Sequence, residues 1–214
     1  MAFDAVIWDF GGVITSSPFD AFNAYEAAHG LPHNAIRQIN AINPDTNAWA
    51  QLERSEVDSA GFDTLFAAEA AALGHDIRGA VVLGLLSGTL RPRMVAALDA
   101  CRAAGLKLGC ITNNAPVGEG AGMATDRASA DHVAAVLARF DHVIESSKAG
   151  VRKPDSRIYR MMTDALAVTP DACIYLDDLG INCKPAALMG MTAIKVGGED
   201  QALADLGTLL GMNF

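Results

Sequence analysis

Five short apolar runs, at 4–9, 107–112, 142–145, 173–177 and 192–196, constrain this chain more than any other feature. Each is too short to be a buried helix, and helical patterns at about 92–104, 130–139, 155–167, 183–190 and 200–210 separate them. Strands that alternate with helices predict an α/β fold, a three-layer Rossmann-like parallel sheet with helices on both faces. Pro92 opens one helix and Gly105 closes it, and Thr169-Pro170-Asp171 breaks the chain after another. Residues 15–88 hold no convincing strand and are rich in Ala, Leu, Phe and Glu. The 214 residues suffice for one substantial core with a smaller inserted unit. The predicted division is therefore a core from 1–14 and 89–214 and a helical subdomain from 15–88. The Gly-rich stretch Val117–Gly122 reads as a mobile loop after Asn114.

A net charge of −9 argues against a nucleic-acid or anionic-membrane partner, because a phosphate polymer would meet a repulsive field. A small phosphorylated ligand in a locally positive pocket remains compatible with it. No stretch approaches the roughly 20 uncharged apolar residues of a membrane span. The start Met1-Ala2-Phe3-Asp4 lacks a basic leader segment, so the expected location is cytoplasmic. Cys101, Cys110, Cys173 and Cys183 form no C-x-x-C pair and lie in apolar patterns, so they read as packing residues.

The chemistry sits where the strands end. Asp9 follows Ala5-Val6-Ile7-Trp8, Thr112-Asn113 follows Leu108-Gly109-Cys110-Ile111, and Asp177-Asp178 closes Cys173-Ile174-Tyr175-Leu176. A fourth cluster, Arg152-Lys153-Pro154-Asp155, precedes a helix. A parallel sheet brings its carboxyl ends to one edge, so distant residues converge on one crevice. Taken singly, an Asp reads as a helix cap, a Thr as a packed β-residue and a Lys-Pro as a solvated turn. Their joint order favours a shared site.

That order resembles the haloacid dehalogenase superfamily, whose members are mostly magnesium-dependent phosphatases acting through an aspartyl-phosphate. The matching segments are Trp8–Val13, Ile111–Asn114, Val151–Asp155 and Leu176–Asn182, so the resemblance covers nearly the whole chain. Ile144–Ser147, Arg157-Ile158-Tyr159 and Leu176–Ala186 are further similar to the N-terminal phosphatase domains of soluble epoxide hydrolases and to related sugar-phosphate phosphatases. The resemblance implies a helical cap inserted after the first strand. It also implies that Asp178 ligates the metal directly, with Asp177 and Asn182 behind it.

A phosphate ester repels an anionic nucleophile, so its hydrolysis needs a carboxylate in line and a cation to neutralise charge. Asp9 can supply the nucleophile. Mg²⁺ prefers oxygen ligands, and Asp9, the Gly11 carbonyl and Asp178 can hold it. Lys153 would restrain Asp9 and face the phosphoryl oxygens, while Thr112 and the Asn113 amide region would donate hydrogen bonds. The expected function is hydrolysis of a small phosphorylated metabolite, by a monomer or a homodimer.

Gly11 stands where most members of this superfamily carry an aspartate that protonates the leaving alcohol. General acid–base help is worth ~10²–10⁴-fold, so its loss weakens turnover and favours good leaving groups. Two alternatives follow: a 2-haloacid dehalogenase-type hydrolase, in which the same aspartate displaces halide without metal, and a weak phosphoryl-ligand-binding module. Against the first, Asp177 and Asp178 without a cation would be costly beside an anionic nucleophile. Thr15, Ser16 and Ser17 read as local backbone partners. In the inserted segment His29, His33 and Trp49 are candidates for substrate contact, the two histidines reading more simply as loop or helix-end residues.

Overall fold

A computed structural model of the chain describes residues 3–115, 123 and 127–214. Five strands, β1 (Ala5–Trp8), β2 (Lys107–Thr112), β3 (His142–Glu145), β4 (Cys173–Asp177) and β5 (Thr192–Lys195), form one sheet in the order β3-β2-β1-β4-β5. Every pairing is parallel. The register sets Trp8 beside Cys110 and Leu176, so β1, β2 and β4 end side by side. Chain order runs outward from β1 to β3 on one side and then from β4 to β5 on the other. The crevice at that reversal, between the ends of β1 and β4, is where such sheets place their ligands.

β1 is buried on both faces, which explains its unbroken apolar sequence. Val6 and Trp8 join Leu108, Cys110, Ile174 and Leu176 against α6 (Pro92–Ala103), α7 (Arg127–Leu137) and α11 (Glu199–Leu210). Ala5 and Ile7 join Cys173 and Tyr175 against α9 (Ser156–Leu166) and α10 (Gly180–Leu188). Gly109 permits a close approach of α9, since a Cβ there would lie 2.6 Å from Met162 Sδ. All four cysteines are buried and free, as their apolar setting predicts.

Between β1 and α6 the chain forms α1 (Pro18–Ala28), α2 (Ala35–Ala41), α3 (Ala48–Glu53), α4 (Ser59–Ala72) and α5 (Gly79–Gly84). Local chemistry starts these helices. Pro18 opens α1 behind the Ser17 cap, Asn47 accepts from Ala50 N–H at 2.8 Å, and Asp58 accepts from Gly61 N–H at 2.8 Å. Phe22, Ile36, Ile39, Leu52, Phe62 and Phe66 bury their side chains in an apolar cluster distinct from the two that sandwich the sheet. An isolated antiparallel bridge from Thr15 to Leu90 closes the base of this segment.

Two helices differ in their starts from the sequence pattern. The one expected at about 183 begins at Gly180, because the Asp177 carboxylate accepts Leu179 N–H at 2.8 Å and turns the chain at once. The one expected at about 130 begins at Arg127. The loop expected at Val117–Gly122 lies outside the described residues.

Candidate active site

Asp9 leaves β1 with its main chain still extended, φ −71° and ψ 161°, and its N–H donates to Leu176 O at 2.8 Å. Its Oδ1 accepts from Phe10 N–H at 2.7 Å and pairs with Lys153 Nζ at 2.7 Å. No protein group occupies Oδ2 among the described residues. The tight turn Phe10–Ile14 follows, and Gly12 within it has φ +77°. A Cβ at Gly12 would lie 2.2 Å from Asp178 Oδ2, so glycine there makes room for that carboxylate. Gly11 is different: its φ of −68° and ψ of 131° suit any residue, and a Cβ would meet nothing within 4 Å.

Lys153 is 1% exposed and spends all three ammonium protons on the protein: on Asp9, on Asp177 Oδ2 at 2.8 Å and on Ile111 O at 2.9 Å. Burial alone would depress its pKa. The Coulomb pull of Asp177 and Asp9, with their hydrogen bonds, outweighs this and pushes it up. Asp177 is fully buried and saturated. Besides Lys153 it accepts from Tyr175 Oη at 2.5 Å, from Leu179 N–H and from Asn182 Nδ2 at 3.1 Å.

Asp178 is more open; its only hydrogen bond from another side chain among the described residues comes from Ser17 Oγ, at 3.4 Å. Burial, then repulsion from Asp177, pushes its pKa up to about 6 against the pull of Lys153. Burial also raises Asp9 well above the carboxylate range, opposed by Lys153 and reinforced by Asp177 and Asp178. One oxygen from each of Asp9, Asp177 and Asp178 fits within a 4.8 Å cluster.

Thr112 ends β2 at 4% exposure, and no protein group among the described residues engages its hydroxyl. Asn113 has a structural partner as well. Its side-chain amide donates to Lys153 O at 3.0 Å and accepts Lys153 N–H at 2.9 Å, so it splints the lysine loop. The structure thus brings Asp9, Thr112, Lys153, Asp177, Asp178 and Asn182 together.

Other contributors carried no clear sequence signal. Thr15 stays local as expected, but Ser17 both caps α1 and reaches Asp178. Arg91 donates to Gly12 O at 2.8 Å and steadies the glycine turn. Glu53, at the end of α3, pairs with Arg152 beside the lysine at 2.6 Å and accepts Trp49 Nε1–H at 2.7 Å. A cleft of about 500 Å³ opens beside Gly12 and Asp178. His29, His33 and Trp49 do not line it; His29 stacks on Tyr25, and Trp49 serves Glu53. Only the meeting of the segment after β1 with the carboxylate after β4 identifies Ser17, and no local pattern announces that.

The family model for haloacid dehalogenase-like hydrolases matches residues 3–190. The chain is a haloacid dehalogenase-like hydrolase. Among members with curated names, the phosphatase MT3486 of Mycobacterium tuberculosis is 29% identical over 98% of both chains. Mouse acyl-CoA dehydrogenase family member 10 is 30% identical over 98% of this chain, which spans only 19% of that protein. Pig bifunctional epoxide hydrolase 2 is 41% identical over 73 residues, 34% of this chain and 13% of that one. The haloacid dehalogenase-like fold is shared with the enzyme bt-2542 of Bacteroides thetaiotaomicron, solved with magnesium and inorganic phosphate, at TM-score 0.60 and 15% identity over 92% of this chain and 97% of the other. No helix among the described residues of this hydrolase is long and apolar enough to cross a membrane.

Proposed function

We propose that the chain is a Mg²⁺-dependent phosphatase that hydrolyses a small phosphorylated metabolite through an aspartyl-phosphate on Asp9. The charge count at the site carries the reading. Three carboxylates within 4.8 Å face one ammonium, an imbalance that a divalent cation corrects. Asp177 is saturated by protein donors, which leaves Asp9 Oδ2, the Gly11 carbonyl and Asp178 as the ligand set, with Asp177 and Asn182 behind them. The cradle fits a cation: Gly12 clears space for Asp178, and the two raised carboxylates await a positive partner. When bound, Mg²⁺ supplies the positive charge that lets an anionic ester approach an anionic nucleophile. The name of the mycobacterial relative and the magnesium and phosphate in the Bacteroides enzyme support the same reading.

Asp9 attacks phosphorus, forming the carboxylate–phosphorus bond as the bond to the alcohol oxygen breaks. Lys153 holds Asp9 in one rotamer and keeps its attacking oxygen from turning away. The Thr112 hydroxyl and the Asn113 main-chain N–H donate to the transferring oxygens. The departing alkoxide takes its proton from water, since Gly11 offers none. Water then attacks the phosphorus of the acyl-phosphate, the bond from Asp9 oxygen to phosphorus breaks, and inorganic phosphate leaves with Asp9 regenerated as the carboxylate. Residues 15–88 act as the cap over this site, on a core of 1–14 and 89–214.

The dehalogenase alternative needs no cation, and the doubled negative charge beside Asp9 disfavours it. With p-nitrophenyl phosphate, turnover should require Mg²⁺ and fall at least 10³-fold in Asp9→Asn, and borohydride should trap the acyl-phosphate at Asp9. Tight Mg²⁺ binding without turnover of this or any phosphorylated metabolite would instead make the chain a phosphoryl-ligand binder.

A further inference from the structure

The cleft beside Asp178 is lined by three basic side chains from separate parts of the fold: Arg37 on α2, Arg91 at the start of α6 and Lys195 at the end of β5. None forms an ion pair among the described residues, although acidic residues outnumber basic ones 25 to 16 in the chain. In such an acidic protein an unpaired cation usually finds a carboxylate, so three sharing one cavity are informative.

Two of them are held in place. Asn23 Oδ1 accepts from Arg37 at 2.9 Å, and the guanidinium lies 4.4 Å from the Phe19 ring centre, while its Nε is buried without a partner. Arg91 spends one donor on Gly12 O and keeps the rest of its fork. The Lys195 ammonium has no hydrogen-bond partner among the described residues, and Lys195 lies in register with Asp177, at the end of the sheet that bears the site. The acids on the same wall are Asp178, assigned to the metal, and Asp20, exposed in the first turn of α1.

We infer that this cleft receives the leaving group, and that the substrate carries a second anion there, a carboxylate or another phosphoryl group. The inference rests on the phosphatase reading for its account of the other end of the substrate. Arg37, Arg91 and Lys195 then select alcohols that carry this second anion over neutral ones. About 500 Å³ accommodates one small ring or sugar-sized group.

Binding tests this apart from catalysis. Calorimetry would compare benzylphosphonate with 4-carboxybenzylphosphonate and 4-phosphonobenzylphosphonate, in Mg²⁺, on the wild type and on R37Q/K195Q. The wild type should prefer at least one doubly functionalised ligand by about tenfold, and the variant should lose that preference. Which ligand gains, carboxylate or phosphonate, names the second anion. Equal affinities in the wild type, no binding of any ligand, or a preference that survives in a folded variant would each overturn the inference. An intact preference in a protein that turns over no aryl phosphate would overturn the phosphatase reading and leave the second-anion site standing.

Discussion

At the scale of single residues, adjacent glycines have opposite reasons to be there. Gly12 is required by its φ of +77° and by Asp178, which fills the place of any side chain. Gly11 has ordinary dihedrals and open space, so neither backbone geometry nor packing forces glycine on it. Gly11→Asp should therefore fold normally and add the missing proton donor. We expect kcat on an alkyl phosphate to rise about tenfold or more, with a much smaller gain on p-nitrophenyl phosphate, whose leaving group needs no proton. Steady-state kinetics on the two esters checks this, and an equal change on both would refute the assignment. Asp9, Asp178 and Lys153 stood out in the sequence because the two carboxylates close apolar strands and the lysine belongs to a stiff Lys-Pro turn. The splint role of Asn113 was not, since it depends on where Lys153 runs in space.

At the scale of elements, the junction between α3 and the lysine loop rests on a charge that burial makes expensive. Glu53 is 5% exposed, and desolvation, only partly offset by Arg152 and Trp49, lifts its pKa from 4.5 to about 7. The folded chain then holds the Glu53 proton more tightly than the unfolded chain does. Its contribution to stability is fully present below about pH 4.5 and is lost as pH climbs through about 7. Melting temperature should fall between pH 5 and 7.5 more steeply in the wild type than in Glu53→Gln, which cannot titrate. Parallel pH profiles by scanning calorimetry would defeat this. The helical segment itself is held by apolar packing: truncating a core residue such as Phe62 or Phe66 to Ala costs about 3–5 kcal/mol, against roughly 1 kcal/mol for a polar link such as the 2.8 Å bond from Ser55 Oγ to Ser147 O. Polar links orient this segment, and its core maintains it. The apolar content of 15–88 made helices legible; which helix ends face Arg152 was not, because charge pairs across elements leave no periodic trace.

At the scale of the molecule, the sheet order gathers carboxylates that repel one another, and a cation should stabilise the whole fold. At 100 times its dissociation constant, bound Mg²⁺ adds about 2.7 kcal/mol, which is about 5–10 °C of melting temperature for a chain of 214 residues. Asp178→Asn should raise the melting temperature of the metal-free protein, since one repelling charge is gone, and should abolish the Mg²⁺-induced rise. A Mg²⁺ shift of wild-type size in that variant would remove Asp178 from the ligand set. The sequence by itself determined the strands, their parallel pairing and the residues at their tips, because hydrophobic period and turn chemistry act within a few neighbours. Only the tertiary structure decided that Lys153 is saturated, that Ser17 meets Asp178 and that Arg37, Arg91 and Lys195 share one cleft. These are distances between segments far apart along the chain, set by the β3-β2-β1-β4-β5 order and by how the helices pack.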